Sequence, residues 1–228
     1  MKLLALDTSS VACSVAAQVD GAVIERHEEQ PREHTRLLLP MIRGILDEAG
    51  IALGDLDAIV LGNGPGSFIG MRIAASVVQG LAFGAGLSIV PVSSLAAVAA
   101  QVFDESDAEQ VLVAQDAHMN EVYFGRFRRG RGGLPVLAEA ERLQGIERLE
   151  LPTGTRPLAA GFGWQRYPEL RALNEDSLHE IIPVLYPRAR YLLPLGAIAF
   201  EDGKAIDPKA LNPAYLRQKV AEKPAPVS

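Results

Sequence analysis

Asp7 closes a short apolar run, Leu3-Leu4-Ala5-Leu6, and is followed at once by Thr8, Ser9 and Ser10. A carboxylate at the end of a buried strand, with three hydroxyl residues behind it, has the parts of a metal–phosphate site. The hydroxyls and backbone N–H groups would face a phosphate while Asp7 holds Mg²⁺ through water. The same residues also make an ordinary polar hairpin in which Asp7 caps its own turn. A second strand–Asp–turn–strand surrounds Asp116 in QVLVAQDAHMNEVYFGRF. Two such hairpins facing one cleft would clamp the phosphates of a nucleotide. Between them, GNGPGSFIG (62–70) sets Gly64, Gly66 and Ser67 before a helix, whose free N–H groups attract anions. It lacks the Gly-Lys-Ser/Thr of a Walker loop, and Ser67 serves equally as the N-cap of a strand-to-helix turn. The four histidines, His27, His34, His118 and His179, form no i,i+4 pair and no Cys/His cluster, so no metal site is expected. Ser67 lies outside a Gly-x-Ser-x-Gly frame, and no base is marked for it.

These residues must be held by a core, and 228 residues at 48% hydrophobic are ample for one large domain or two lobes. A net charge of −6 argues against autonomous binding to a phosphate backbone, which needs clustered Lys and Arg. It leaves open membership of a complex whose other members carry the basic surface. The single cysteine, Cys13, sits in an alternating strand as a small hydrophobe. The apolar run ending at Asp7 is too short for a signal sequence, and no apolar stretch approaches the roughly 18–20 residues that span a bilayer. A cytoplasmic chain with no membrane partner is expected.

The pattern of elements predicts strands at 2–7, 11–18 and 22–29, with Asp20-Gly21 as a hairpin dipeptide. A helix over 31–50 ends at Gly50 and contains Pro40, which is expected to kink it. A strand and glycine-rich turn (56–67), a helix (68–84), a strand (87–93) and a helix (94–102) follow. Strand–helix alternation with short connections favours an α/β sheet with parallel members. Composition shifts near 104–109, which divides the chain into lobes at 1–104 and 105–228. The region 142–187 yields no clear elements. A helix over 188–205, with Pro194 in it or opening it, is expected to pack back on the first lobe, and the Lys/Pro-rich tail from about 217 is expected to be mobile.

On a helical wheel the apolar residues of the first helix cover an arc of roughly 200°, more than one sheet requires. The second helix is rich in small residues that allow close backbone approach. Two alternatives follow: a helix-bundle interface with another chain, or deeper burial within this one. The interface alternative assigns partner contacts to His34, Leu38, Met41, Ile42, Ile45, Leu46 and Ala49 on the first helix. On the second it assigns them to Met71, Ala74, Ala75, Val78 and Leu81.

LALDTSSVACSVA, PREHTRLLLPMI, GNGPGSFIGMRIAASVVQGLA and DAHMNEVYFGRF, in this order and spacing, closely resemble the bacterial TsaB (YeaZ) family. The resemblance is strong over residues 1–127 and weak from there to NPAYLRQKVA (212–221). It implies the actin/Hsp70/sugar-kinase fold: α/β, with two lobes each built on a mixed sheet flanked by helices. It implies a non-catalytic partner of the catalytic subunit TsaD in attaching threonylcarbamoyl to the adenosine beside the tRNA anticodon. Pairing is implied through a bundle of the two N-terminal helices, with a homodimer through the same surface when TsaD is absent. The P-loop protein TsaE joins the same assembly, and tRNA is met only through the complex. The catalytic relative holds a metal with His-x-x-x-His, whereas here His34 is followed by Leu38. Ile69 stands where the family has Thr and His118 where it has Arg, which weakens retained phosphate binding. The chain is therefore expected to require no cofactor, with ATP or ADP at most weakly held or shared at an interface. Asp7, Thr8, Ser9, Ser10 and Asp116 remain as degenerate phosphate turns. A different class of function, a small ATP-dependent kinase or ATPase using Asp7 and Asp116, rests on the doubled hairpin.

Overall fold

The computed structural model describes residues 1–152 and 154–217. The first half runs β1 (Leu3–Asp7), β2 (Cys13–Val19), β3 (Ala22–Glu28), α1 (His34–Ala49), β4 (Ala58–Gly62), α2 (Phe68–Ala85), β5 (Ser88–Val92) and α3 (Ser94–Glu105). The second runs β6 (Gln110–Asp116), β7 (Glu121–Arg129), β8 (Pro135–Gly145), β9 (Leu158–Ala160), α4 (Phe162–Arg166), α5 (Pro168–Asn174), β10 (Glu180–Ile181) and α6 (Ala189–Glu201). Each half builds one five-stranded sheet, ordered β3-β2-β1-β4-β5 and β10-β9-β6-β7-β8. In both, an antiparallel three-strand meander continues into two parallel strands. The two lobes are one topology used twice, so Asp7 and Asp116, the last residues of β1 and β6, occupy equivalent positions.

Central strands covered on both faces read as unbroken apolar runs. In β1 and β4 the two-residue period sends Leu4, Leu6, Ile59 and Leu61 under α1 and α2. The alternate residues Leu3, Ala5, Ala58 and Val60 pack under Ala189, Leu192 and Leu193 of α6. The helix after the second sheet thus covers the first. Leu95, Val98, Val102 and Phe103 of α3 pack in return on Val111, Val113 and Phe127 of the second sheet. The division near residue 104 marks the chain's passage between sheets, while these two helices form the layer between the lobes.

Helix ends follow local chemistry. α1 stops at Gly50, whose φ of 66° is left-handed and whose N–H returns to the carbonyls of Leu46 and Asp47. The Ser67 hydroxyl oxygen accepts the Gly70 N–H at 3.2 Å and starts α2. The Asp20-Gly21 turn has both residues at positive φ, as a two-residue hairpin with right-handed twist requires. Within 142–187 the structure places the end of β8 and then β9, α4, α5 and β10, none longer than 7 residues after β8. By length and composition α2 could cross a bilayer, contrary to the sequence expectation; Met71, Ala74, Ala75 and Val78 instead seat it in the first core. The tail expected from about 217 falls, from 218 onward, outside the described residues.

Candidate functional site

The first turn is closed upon itself. Asp7 Oδ1 accepts the Ser9 N–H at 2.8 Å and the Ser9 hydroxyl at 2.7 Å, and Oδ2 accepts the Ser94 hydroxyl at 2.6 Å. Ser94 Oγ in turn accepts the Gly64 N–H at 3.1 Å, and the Thr8 hydroxyl donates to the Gly70 carbonyl at 2.7 Å. Three glycines at the end of β4, in the turn after it and at the start of α2 leave room for this closure. A Cβ on Gly62 would collide with the Asp7 carboxylate, on Gly66 with Ser9, and on Gly70 with the Thr8 carbonyl. Asp7 is 1% exposed, and burial pushes its carboxyl above the usual range against the opposing pull of Ser94 and Ser9. A carboxylate that holds Mg²⁺ through water needs solvent and free lone pairs. These residues do not fit a metal–phosphate group. Ser10, half-buried, accepts the Ala12 N–H at 3.1 Å.

His34 belongs to this turn. Its Nε2 lies 3.0 Å from the Ser10 carbonyl and 3.3 Å from that of Ala12. Two acceptors require that this nitrogen carry the proton. The ring is 7% exposed and ties the first turn of α1 to the β1–β2 hairpin.

The second turn repeats the first and then departs from it. Asp116 Oδ1 accepts the His118 N–H at 2.8 Å, the same i+2 bond that Asp7 makes to Ser9, and also the Tyr167 hydroxyl at 2.7 Å. His118 Nδ1 lies 3.1 Å from Oδ2. Burial, and then the carboxylate that accepts its proton, push the Tyr167 phenol up to about 12. His118, Met119 and Asn120 follow with φ of 60°, 55° and 56°, three left-handed residues in succession and none of them glycine. Ser94 and Tyr167, which complete these turns, carry no signal in the sequence. The doubled Asp turns share no hydrogen-bond partner, and among the described residues no group of His, Cys, Asp and Glu is arranged to hold a metal.

The helix faces assigned to a partner pack largely within this chain. Leu38, Met41, Ile42, Ile45 and Leu46 of α1, and Met71, Ala74, Ala75 and Val78 of α2, are core side chains of this chain. Ala49 and Leu81 are half-buried. The broad apolar arc of α1 is consumed because the helix meets both the sheet and α2; Leu39, 52% exposed, is the large residue left outside. The uncovered apolar surface lies on the opposite side of α2. Ile69 is 70% exposed and Phe83 68%, and Phe68, Ile69, Arg72, Ile73, Ser76 and Val77 line a shallow groove. Ser76, Gly80 and Gly84 follow at four-residue intervals down this face, and a Cβ on either glycine would meet nothing within 4 Å.

A duplicated meander with parallel strands, two sheets and an interlobe helix layer define a two-lobed protein of the actin/Hsp70/sugar-kinase fold. The family described as TsaD, tRNA N6-adenosine threonylcarbamoyltransferase, matches residues 26–223. The tRNA threonylcarbamoyladenosine biosynthesis protein TsaB of Escherichia coli is 39% identical across 99% of both chains. Its namesake in Haemophilus influenzae is 37% identical, over 99% of this chain and 98% of the other. The solved structure of YeaZ from Pseudomonas aeruginosa superimposes with a TM-score of 0.85 at 40% identity, covering 94% of this chain and 99% of that one. The chain belongs to the TsaB (YeaZ) family.

Proposed function

We propose that this chain is a non-catalytic subunit in the synthesis of threonylcarbamoyladenosine on tRNA, docking on a TsaD-like catalytic chain through the outer face of α2. The observation that carries the reading is the pair Gly80 and Gly84. Each glycine inside a helix costs about 1 kcal/mol relative to alanine, and among the described residues nothing crowds a side chain at either. A cost without an internal reason is explained by a second helix whose backbone approaches closely there. The flanking Phe68, Ile69, Ile73 and Phe83 supply apolar area, and Arg72, stacked 3.8 Å from the Phe68 ring centre, supplies an anchor of the type that concentrates binding energy. Alone, two copies pair through the same face. A TsaE-like P-loop ATPase joins the assembly, and tRNA is met through the complex, as suits a chain of net charge −6.

The internally saturated Asp7 supports a role without catalysis and without a required nucleotide in this chain, leaving any ATP or ADP to an interface. The alternative, a kinase or ATPase using Asp7 and Asp116, requires micromolar Mg-ATP binding that Asp7→Ala abolishes. Calorimetry on the isolated chain is expected to give no heat.

The deciding test is a reconstituted modification assay with TsaD, TsaE, the threonylcarbamoyl-adenylate synthase and tRNA, with and without this chain. Modified adenosine is expected only when the chain is present. Ile69→Asp, on the outer face, is expected to remove pairing and modification from a folded chain. Ile45→Asp, in the core, is expected to unfold it. Full modification with Ile69→Asp would refute the assignment of the face.

A further inference from the structure

Residues 206–217 cross the molecule from the far edge of the first sheet to the second Asp turn. Ile206 pairs with Ile89 of β5 through two bonds of 2.8 and 3.0 Å. Gln79 of α2 donates to the Pro208 carbonyl at 3.0 Å, and Leu211 is buried in the first core. Asn63 then grips the segment from both sides. Its side-chain amide donates to the Asn212 carbonyl at 3.0 Å, and its own carbonyl accepts the Ala214 N–H at 3.1 Å. The Tyr215 ring lies 5.3 Å from that of Phe68, and its hydroxyl accepts Arg72 Nε at 3.1 Å. Leu216 packs on the second core. Arg217, its side chain 16% exposed, donates to the Ala117 carbonyl at 2.8 Å and pairs with the Glu121 carboxylate.

Ala117 and Glu121 bracket the three left-handed residues 118–120. A run of that kind persists only where its surroundings over-determine it. The turn is closed by its own bonds, from the Ala117 N–H to the Glu121 carbonyl and from the Glu121 N–H to the His118 carbonyl. The guanidinium, fixed at both ends, braces it through charge-assisted bonds. In two-lobed folds built around a cleft, a ligand held between the lobes commonly fixes their relation. In this chain the first turn is sealed by Ser94, and a cation of the chain itself braces the flanks of the second. We propose that residues 206–217 are an internal clasp that sets the position of one lobe against the other, with Arg217 as its latch. The clasp starts on β5, is stapled to the N-terminal end of α2 by Asn63 and Arg72, and ends on the β6–β7 turn. It therefore also joins the outer face of α2 to the second lobe.

Amide hydrogen exchange on the isolated full-length chain tests this, with Arg217→Ala, Tyr215→Ala and the double variant. A clasp is one element, so cutting it at either end must be felt at the other. Tyr215→Ala is expected to speed exchange in 117–121 by at least about tenfold, and Arg217→Ala to do the same in 63–72, with β1 and β4 unchanged. The double variant is expected to match the larger single effect. If Tyr215→Ala leaves 117–121 unaltered, or the two effects multiply in the double variant, the segment is two independent tethers and the proposal falls. Should Tyr215→Ala fail to fold, Tyr215→Phe, which removes only the bond from Arg72, reads the same coupling with the same two outcomes. Exchange is followed at concentrations where the chain is monomeric, so the result is independent of the pairing proposed above.

Discussion

Replacing Gly80 and Gly84 by alanine adds one methyl group at each of two positions where, among the described residues, the new Cβ meets nothing within 4 Å beyond the helix's own backbone. Two opposite effects follow. In the isolated chain, alanine gains about 1 kcal/mol at Gly80 and less at Gly84 in the last turn, about 1.5 kcal/mol together. For a chain of this length that corresponds to a rise in Tm of about 3–6 °C. In the paired state, each methyl enters the space where a second helix backbone lies. Forcing a carbon into a packed contact costs about 1–3 kcal/mol, so each methyl should raise the dissociation constant by about fivefold to 150-fold. Pairing itself raises apparent stability, so unfolding must be followed at concentrations where the chain is monomeric. The assay is urea or thermal unfolding of the dilute chain, beside sedimentation analysis of self-pairing and calorimetry with a TsaD-like partner. A double variant more stable as monomer and weaker as partner is the expected outcome. A double variant that pairs within twofold of the parent refutes the reasoning, because the glycines would then not mark the contact. One that is less stable as monomer refutes it earlier, since the space around α2 would not be empty.

Asp7, buried, and Glu141, half-buried, are carboxyls held above their ordinary values of 3.8 and 4.5, chiefly by desolvation. A raised acid favours folding fully below its unfolded value and loses that contribution as pH rises through its folded value. Asp7→Asn should therefore flatten the decline in the urea midpoint from about pH 4 upward; a steeper decline would show the sign to be wrong. Gly70→Ala should cost about 3 kcal/mol, read as a lower midpoint, because its Cβ strikes the Thr8 carbonyl; an unchanged midpoint would mean that the turn is not closed as described. Burial, with the Asp7 and Glu28 charges behind it, pushes the Cys13 thiol up to about 12. Its reaction with a disulfide reagent at neutral pH should then follow global unfolding, and labelling of the native chain within minutes would contradict that.

The first 127 residues disclose most of their elements because the patterns there are long and unambiguous. The unbroken apolar β1 and β4, the Asp20-Gly21 hairpin, the Ser67 cap and Gly50 stop all carry local signals that no tertiary contact overrides. The equivalence of Asp7 and Asp116 is legible for the same reason, since each forms its turn with the residue two places on. What the sequence leaves open is which way a helix faces and what a turn residue touches. The apolar arc of α1 is wide enough for a sheet and a foreign helix, and only packing decides that the sheet and α2 consume it. The short β9, α4, α5 and β10 complete no distinguishable period and gain their form from the second sheet. Asp7 is bonded by Ser94, 87 positions away, and the second turn is braced by Arg217, 100 positions from Ala117. Local propensity and periodicity are properties of neighbours in the chain, whereas the closure of one turn and the latching of the other depend on groups that only the completed fold brings together.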